Sequence, residues 1–139
     1  MNNVHVSAWP EFQEEWIQKS EIKDWEDLLA LRDLVNSKIE EKRAKGEIGS
    51  SLAASISLAV KPGRLADLID KYQTDLRTIF IVSEVKISVS TGGDEVQIEV
   101  HPAPGTKCER CWNYSVQVGH FADHPTLCER CVEVVRKLS

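Results

Sequence analysis

The hydrophobic positions change their period along the chain, and the changes mark three sections. In the first, Trp25, Leu28, Leu31, Val35 and Ile39 recur at spacings of three and four, which predicts a helix with one apolar stripe. Asp24 stands where an N-cap is wanted, and Glu26 and Asp27 put negative charge in the first turn, where the helix dipole favours it. Glu41 and Lys45 form an i,i+4 pair, and Gly46 follows as a C-cap. A shorter helix opening near Pro10 and carrying Phe12 and Trp16 is expected before it. Residues 1–49 therefore read as a helical hairpin or part of a bundle.

From residue 50 to 101 the pattern mixes periods. Leu52 to Val60 alternates loosely, as a strand does, and Pro62 opens a helix through Arg64, Leu65, Leu68, Ile69 and Tyr72. Ile79 to Val82 is an apolar run. Val85, Ile87 and Val89 alternate with polar residues, and so do Val96, Ile98 and Val100 across a Gly92-Gly93 turn. The spacing predicts a β-hairpin, 84–90 with 95–101, in a small α/β module. The last section, 102–139, opens on the breaker cluster Pro102-Ala103-Pro104-Gly105 and ends in a short helix with Val132, Val135 and Leu138 on one face. The fold class expected is α+β.

Composition narrows the possibilities. No apolar run approaches the roughly 18–20 residues of a membrane span, and Met1 to Pro10 lacks the features of a signal peptide. A cytoplasmic protein with reduced thiols is expected, so four cysteines point to metal or redox chemistry. The net charge of −5 excludes a chain that grips nucleic acid by bulk positive charge; any such contact is local or shared with a larger partner. Neither a phosphate-binding Gly-rich loop with Lys nor a Gly-x-Ser-x-Gly elbow is present, and nothing argues for catalysis by these residues alone.

The cysteines carry the strongest signal. Cys108 and Cys111 form one Cys-x2-Cys knuckle, Cys128 and Cys131 another, with sixteen residues between. Each knuckle presents two thiolates from one tight turn, and two knuckles complete the tetrahedron that zinc adopts in a closed site. Both read Cys-Glu-Arg-Cys, which suggests a local pseudo-twofold. One structural zinc is expected, with Lys107, Arg110 and Arg130 offsetting the thiolate charge. A closed site stabilises a fold but does not activate water. Two other arrangements compete. A redox pair would need a thioredoxin-like βαβ frame around it, which is missing here. A Cys108, Cys111, His120, His124 set would have only eight residues in its loop and leave Cys128 and Cys131 idle.

Cys108-Glu109-Arg110-Cys111-Trp112, with the second knuckle at 128–131, resembles the C-terminal zinc finger of bacterial isoleucyl-tRNA synthetases. The finger alone is shared with formamidopyrimidine-type DNA glycosylases. The upstream text favours the synthetases: Val4-His5-Val6 and Trp9-Pro10, Leu31-Arg32-Asp33-Leu34-Val35, Ile39-Glu40-Glu41-Lys42-Arg43, Ile48-Gly49-Ser50-Ser51-Leu52-Ala53-Ala54, and Phe80-Ile81-Val82-Ser83-Glu84-Val85. Ala53 departs from the acidic residue common after Ser-Leu in that family. The resemblance implies a piece of an ATP-dependent ligase that charges tRNA(Ile) with isoleucine: the end of the anticodon-binding helices, a linker module and the finger. The catalytic core, with its HIGH and KMSKS signatures, is not in this sequence. Its implied partners are tRNA(Ile), on the anticodon side, and the remainder of the synthetase chain, in a monomer. Arg110 and Trp112 become the residues expected to contact tRNA, because a guanidinium suits phosphate or guanine and an indole stacks on an unpaired base. Packing over the knuckle for Trp112 and charge balance for Arg110 are the competing roles. The alternative function is a free-standing zinc-ribbon module that binds nucleic acid or protein.

Overall fold

One long helix, α1 (Lys19–Ala44), carries the predicted apolar stripe. The computed structural model describes residues 3–138; Met1, Asn2 and Ser139, at the ends of the expected sections, lie outside the described residues. Leu28, Leu31, Val35 and Ile39 are buried, and Trp25 at the head of the stripe is 43% exposed. The helix starts five residues before Asp24, which turns to another use. Its carboxylate accepts hydrogen bonds from Lys71 Nζ at 2.6 Å and the Tyr72 hydroxyl at 3.3 Å. The Lys71 bond holds Asp24 below the usual carboxylate range. The helix ends as expected at Gly46, with φ of +72°. Gly46 N–H donates to Arg43 O and Glu47 N–H to Lys42 O, which closes the last turn in a Schellman motif. Glu41 pairs with Lys38 at 3.0 Å rather than with Lys45.

The helical hairpin does not form. Among the described residues, only 3₁₀ turns, at Val4–Val6 and Glu14–Trp16, precede α1. Phe12 and Trp16 touch edge to face with ring centroids 6.4 Å apart, but Gln13, Glu14 and Glu15 between them offer no apolar stripe. A short helix without a buried face does not repay the ordering its first turn needs.

The stripe packs instead on a three-stranded sheet. Strand β1 (Ala54–Val60) leads through helices α2 (Arg64–Lys71) and α3 (Leu76–Phe80) to β2 (Glu84–Val89), and then comes β3 (Val96–Pro102). The order is β2-β1-β3: β2 runs parallel to β1, and β3 antiparallel to it. The strands expected at 84–90 and 95–101 are therefore present but do not pair with each other as a hairpin. Ile56, Leu58 and Val60 of β1 are buried, and a strand so apolar is best satisfied between two neighbours. The loop with Gly92 and Gly93 straps over the end of β1, where Ser90 N–H donates to Val60 O and Lys61 N–H to Glu95 O. The apolar run Ile79 to Val82 straddles the end of α3, where Ile81 adopts φ of +57°. Leu68, Ile69, Leu76, Phe80, Val82 and Val100 complete one core with the α1 stripe.

The breaker cluster is a tight passage into the last section. Ala103 N–H still donates to Ala53 O at 2.8 Å. Gly105 follows with φ of +85°, and a Cβ there would lie 2.3 Å from the Ser115 carbonyl group. Only glycine lets strand β4 (Thr106–Lys107) lie so close to β5 (Tyr114–Ser115). Helix α4 (Glu129–Leu138) buries Val132, half-buries Val135 and leaves Leu138 exposed.

Candidate metal centre

The first knuckle is a backbone turn held from both ends. Trp112 N–H donates to Cys108 O and Cys108 N–H to Asn113 O, both at 2.9 Å. The second knuckle, at the start of α4, is tied to the first by Glu109 N–H on Thr126 O and by Cys128 N–H on Cys108 Sγ at 3.3 Å. These bonds bring Cys108, Cys111, Cys128 and Cys131 together, with all four sulfurs within 4.8 Å of one another. Cys108, Cys128 and Cys131 are buried and Cys111 is half-buried.

The set fits zinc by size. Tetrahedral ligation with Zn–S bonds of about 2.3 Å places thiolates about 3.8 Å apart. Cys111 Sγ and Cys128 Sγ lie 3.7 Å apart. Burial raises the Cys111 thiol, but hydrogen bonds from Asn113 outweigh it and leave it at about 6. Burial and bonds to its neighbours push Cys128 up to about 12. A lowered Cys111 beside a raised Cys128 is what adjacent thiols show when they do not ionise together, and a divalent cation removes the conflict.

The two arginines of the repeated Cys-Glu-Arg-Cys cross over. Arg110 of the first knuckle donates to Cys131 Sγ of the second at 3.7 Å. Arg130 of the second lies close to Cys111 of the first, and that thiol raises its already high pKa. Each guanidinium thus neutralises the last cysteine of the opposite knuckle. Lys107 takes a different place: its Nζ stands 4.9 Å from the centroid of the Trp112 ring. Trp112 is 59% exposed and adopts φ of +65°, a left-handed conformation that is rare for a bulky residue. The indole therefore projects from the knuckle with Lys107 against it.

His120 and His124 lie apart from the thiols. Among the described residues the four cysteines are the group placed to hold a metal. Nearby, Arg136 of α4 clamps Asp123 with two bonds of 2.8 Å, which ties the loop between the knuckles to the last helix. Asn113 and Ser83 are supports that reading the sequence did not single out. Asn113 follows the knuckle closely enough to cap it, a signal available in Cys-Trp-Asn. Ser83 lies far off in sequence and gave no signal.

The fold and site define a zinc-finger protein whose four thiolates hold one structural zinc. Residues 105–134 match the family described as "Zinc finger found in FPG and IleRS". Along almost the whole chain the relatives are isoleucine–tRNA ligases. That of Geobacter sulfurreducens is 38% identical over 97% of this chain and 15% of its own length. That of Gloeobacter violaceus is 42% identical over 96% of the chain and 14% of its own. The chloroplastic/mitochondrial isoleucine–tRNA ligase of Arabidopsis thaliana is 40% identical over 95% and 14%. The chain is similar to these ligases and fits a C-terminal piece of them, spanning about 15% of their length. No helix among the described residues is long and apolar enough to cross a membrane.

Proposed function

We propose that the chain is the zinc-containing, tRNA-binding C-terminal module of an isoleucine–tRNA ligase, the enzyme that charges tRNA(Ile) with isoleucine using ATP. The module works beside the anticodon and supplies no catalytic group. The observation that carries this reading is Trp112, an indole projecting into solvent from a metal-held turn with the Lys107 ammonium against it. An exposed aromatic face is a stacking platform for an unpaired base, and Lys107 and Arg110 beside it suit the phosphates of the same strand. Arg110 balances Cys131 and is itself exposed to solvent. The overall charge of −5 fits a contact confined to this end of the molecule.

The test is a complete Geobacter sulfurreducens ligase in which this chain replaces the matching segment. Trp112→Ala in that enzyme is expected to weaken tRNA(Ile) binding roughly tenfold, within the range of about 1–3 kcal/mol for one stacked base. Zinc content should not change. Equal affinity with zinc retained would return Trp112 to a local packing role and remove the support for RNA contact.

A further inference from the structure

The four cysteines are not equally sheltered. Cys108, Cys128 and Cys131 are buried, whereas Cys111 is half-buried, next to the exposed Trp112. As ligands of one ion all four are thiolates, so access to solvent decides which of them reacts. Cys111 also has a charged neighbour. The guanidinium of Arg130, itself exposed, lies close to its sulfur. In the opposite knuckle, Cys128 Sγ stands 3.7 Å from Cys111 Sγ. Cys108 Sγ, in the same knuckle as Cys111, is engaged by Cys128 N–H at 3.3 Å. An accessible thiolate beside a cation, with a second thiol at contact distance, is the arrangement of a peroxide-reactive cysteine and its resolving partner.

We propose that Cys111 is a site of oxidation by a small hydroperoxide, and that Cys128 captures it in a disulfide that opens the zinc cage. In the first step the Cys111 thiolate attacks one oxygen of hydrogen peroxide. The S–O bond forms as the O–O bond breaks, and two electrons pass from sulfur to the peroxide. The other oxygen leaves as hydroxide, which a proton from solvent converts to water. Arg130 stands where it can stabilise the negative charge that develops on that oxygen. In the second step the Cys128 thiolate attacks the Cys111 sulfur. The S–S bond forms, the S–O bond breaks, and a second hydroxide leaves and is protonated. Two thiolates, one peroxide and two protons thus give one disulfide and two waters. Cys108 and Cys131 alone do not close a tetrahedron, so they no longer hold the ion. The half-burial of Cys111 sets the class of oxidant: a small peroxide reaches it and a bulky disulfide does not. A disulfide is a reversible rung of cysteine oxidation, so a thiol reductant with zinc present rebuilds the cage. This chemistry needs the zinc cage and not RNA contact, so it stands apart from the functional reading.

Zinc release combined with peptide mapping tests it. This chain, reduced and loaded with zinc, is treated with hydrogen peroxide while a chromophoric indicator reads the zinc set free. Remaining thiols are then alkylated and the protein is cut with trypsin. Cleavage after Lys107, Arg110 and Arg130 places Cys111 and Cys128 together in peptide 111–130, with Cys108 and Cys131 in other peptides. One zinc should leave for each disulfide formed. Peptide 111–130 should lose two hydrogens, while Cys108 and Cys131 carry the alkyl group. Dithiothreitol with added zinc should restore the parent masses and metal content. Arg130→Gln should keep its zinc without peroxide and release it about fivefold more slowly with peroxide, the upper end of what an exposed charge contact is worth. Arg130→Lys should recover most of the rate. Zinc retained under peroxide would overturn the proposal. So would a disulfide joining peptide 111–130 to the Cys108 peptide, or release from Arg130→Gln at the parent rate or faster.

Discussion

Ser83 Oγ accepts a hydrogen bond from Tyr114 N–H at 2.7 Å while donating its own proton to Leu52 O. One buried hydroxyl thereby joins the zinc finger to the segment entering β1. It saturates a backbone donor of β5 and a carbonyl next to the sheet, and it fixes the finger against the module. The position of Trp112 relative to the rest of the chain depends on joints of this kind.

Removing the hydroxyl leaves two part-buried backbone groups without this partner. Ser83→Ala should cost about 2 kcal/mol, within the penalty for unsatisfied buried polar atoms. The zinc should stay bound, because no thiolate depends on Ser83. Thermal unfolding with metal analysis checks both; an unchanged melting temperature would show that the joint carries no weight.

Trp112 is held at a left-handed backbone angle that suits glycine. Trp112→Ala and Trp112→Gly both remove the indole and its contact with Lys107, but only glycine relieves the backbone. The glycine variant should be more stable than the alanine variant by about 1 kcal/mol. Denaturant unfolding of the pair measures this, and an alanine variant equal or superior in stability would mean that no strain is held there.

Glu84 accepts a hydrogen bond from the buried Ser55 hydroxyl at 2.6 Å, and this bond, with Lys86 adding to it, depresses its pKa below 4.5. A depressed carboxylate contributes stability that is present above its unfolded pKa and lost as pH falls through the folded value. Ser55→Ala should therefore cost about 1 kcal/mol at neutral pH. The deficit against the parent protein should shrink as pH drops below about 4.5. Taking the difference at each pH cancels the loss of zinc common to both. A deficit that does not change with pH would mean that Ser55 acts through packing alone.

How much of this was legible in the sequence varied with the range of the cause. The stripe Leu28, Leu31, Val35, Ile39 and the cap at Gly46 are local patterns, and the structure keeps them. The start of α1 at Lys19 is not legible, because Asp24 is claimed by Lys71 and Tyr72, a tertiary contact that capping rules do not see. The hairpin was inferred from alternation on either side of Gly92-Gly93. The alternation was sound, but the burial needs of β1 placed that strand between the two. The cysteine cluster was legible because ligand spacing is itself a local geometric constraint. The crossed arginines, the positive φ of Trp112 and the Ser83 joint were not, since each depends on where two distant segments meet.

Zinc stoichiometry bears most directly on the whole account. Freshly purified, reduced protein should contain one zinc per chain by elemental analysis and native mass. Its four thiols should resist titration until the protein is denatured. Protein that is folded yet free of stoichiometric metal, with thiols that react at once, would contradict the cage and the RNA-facing platform built on it.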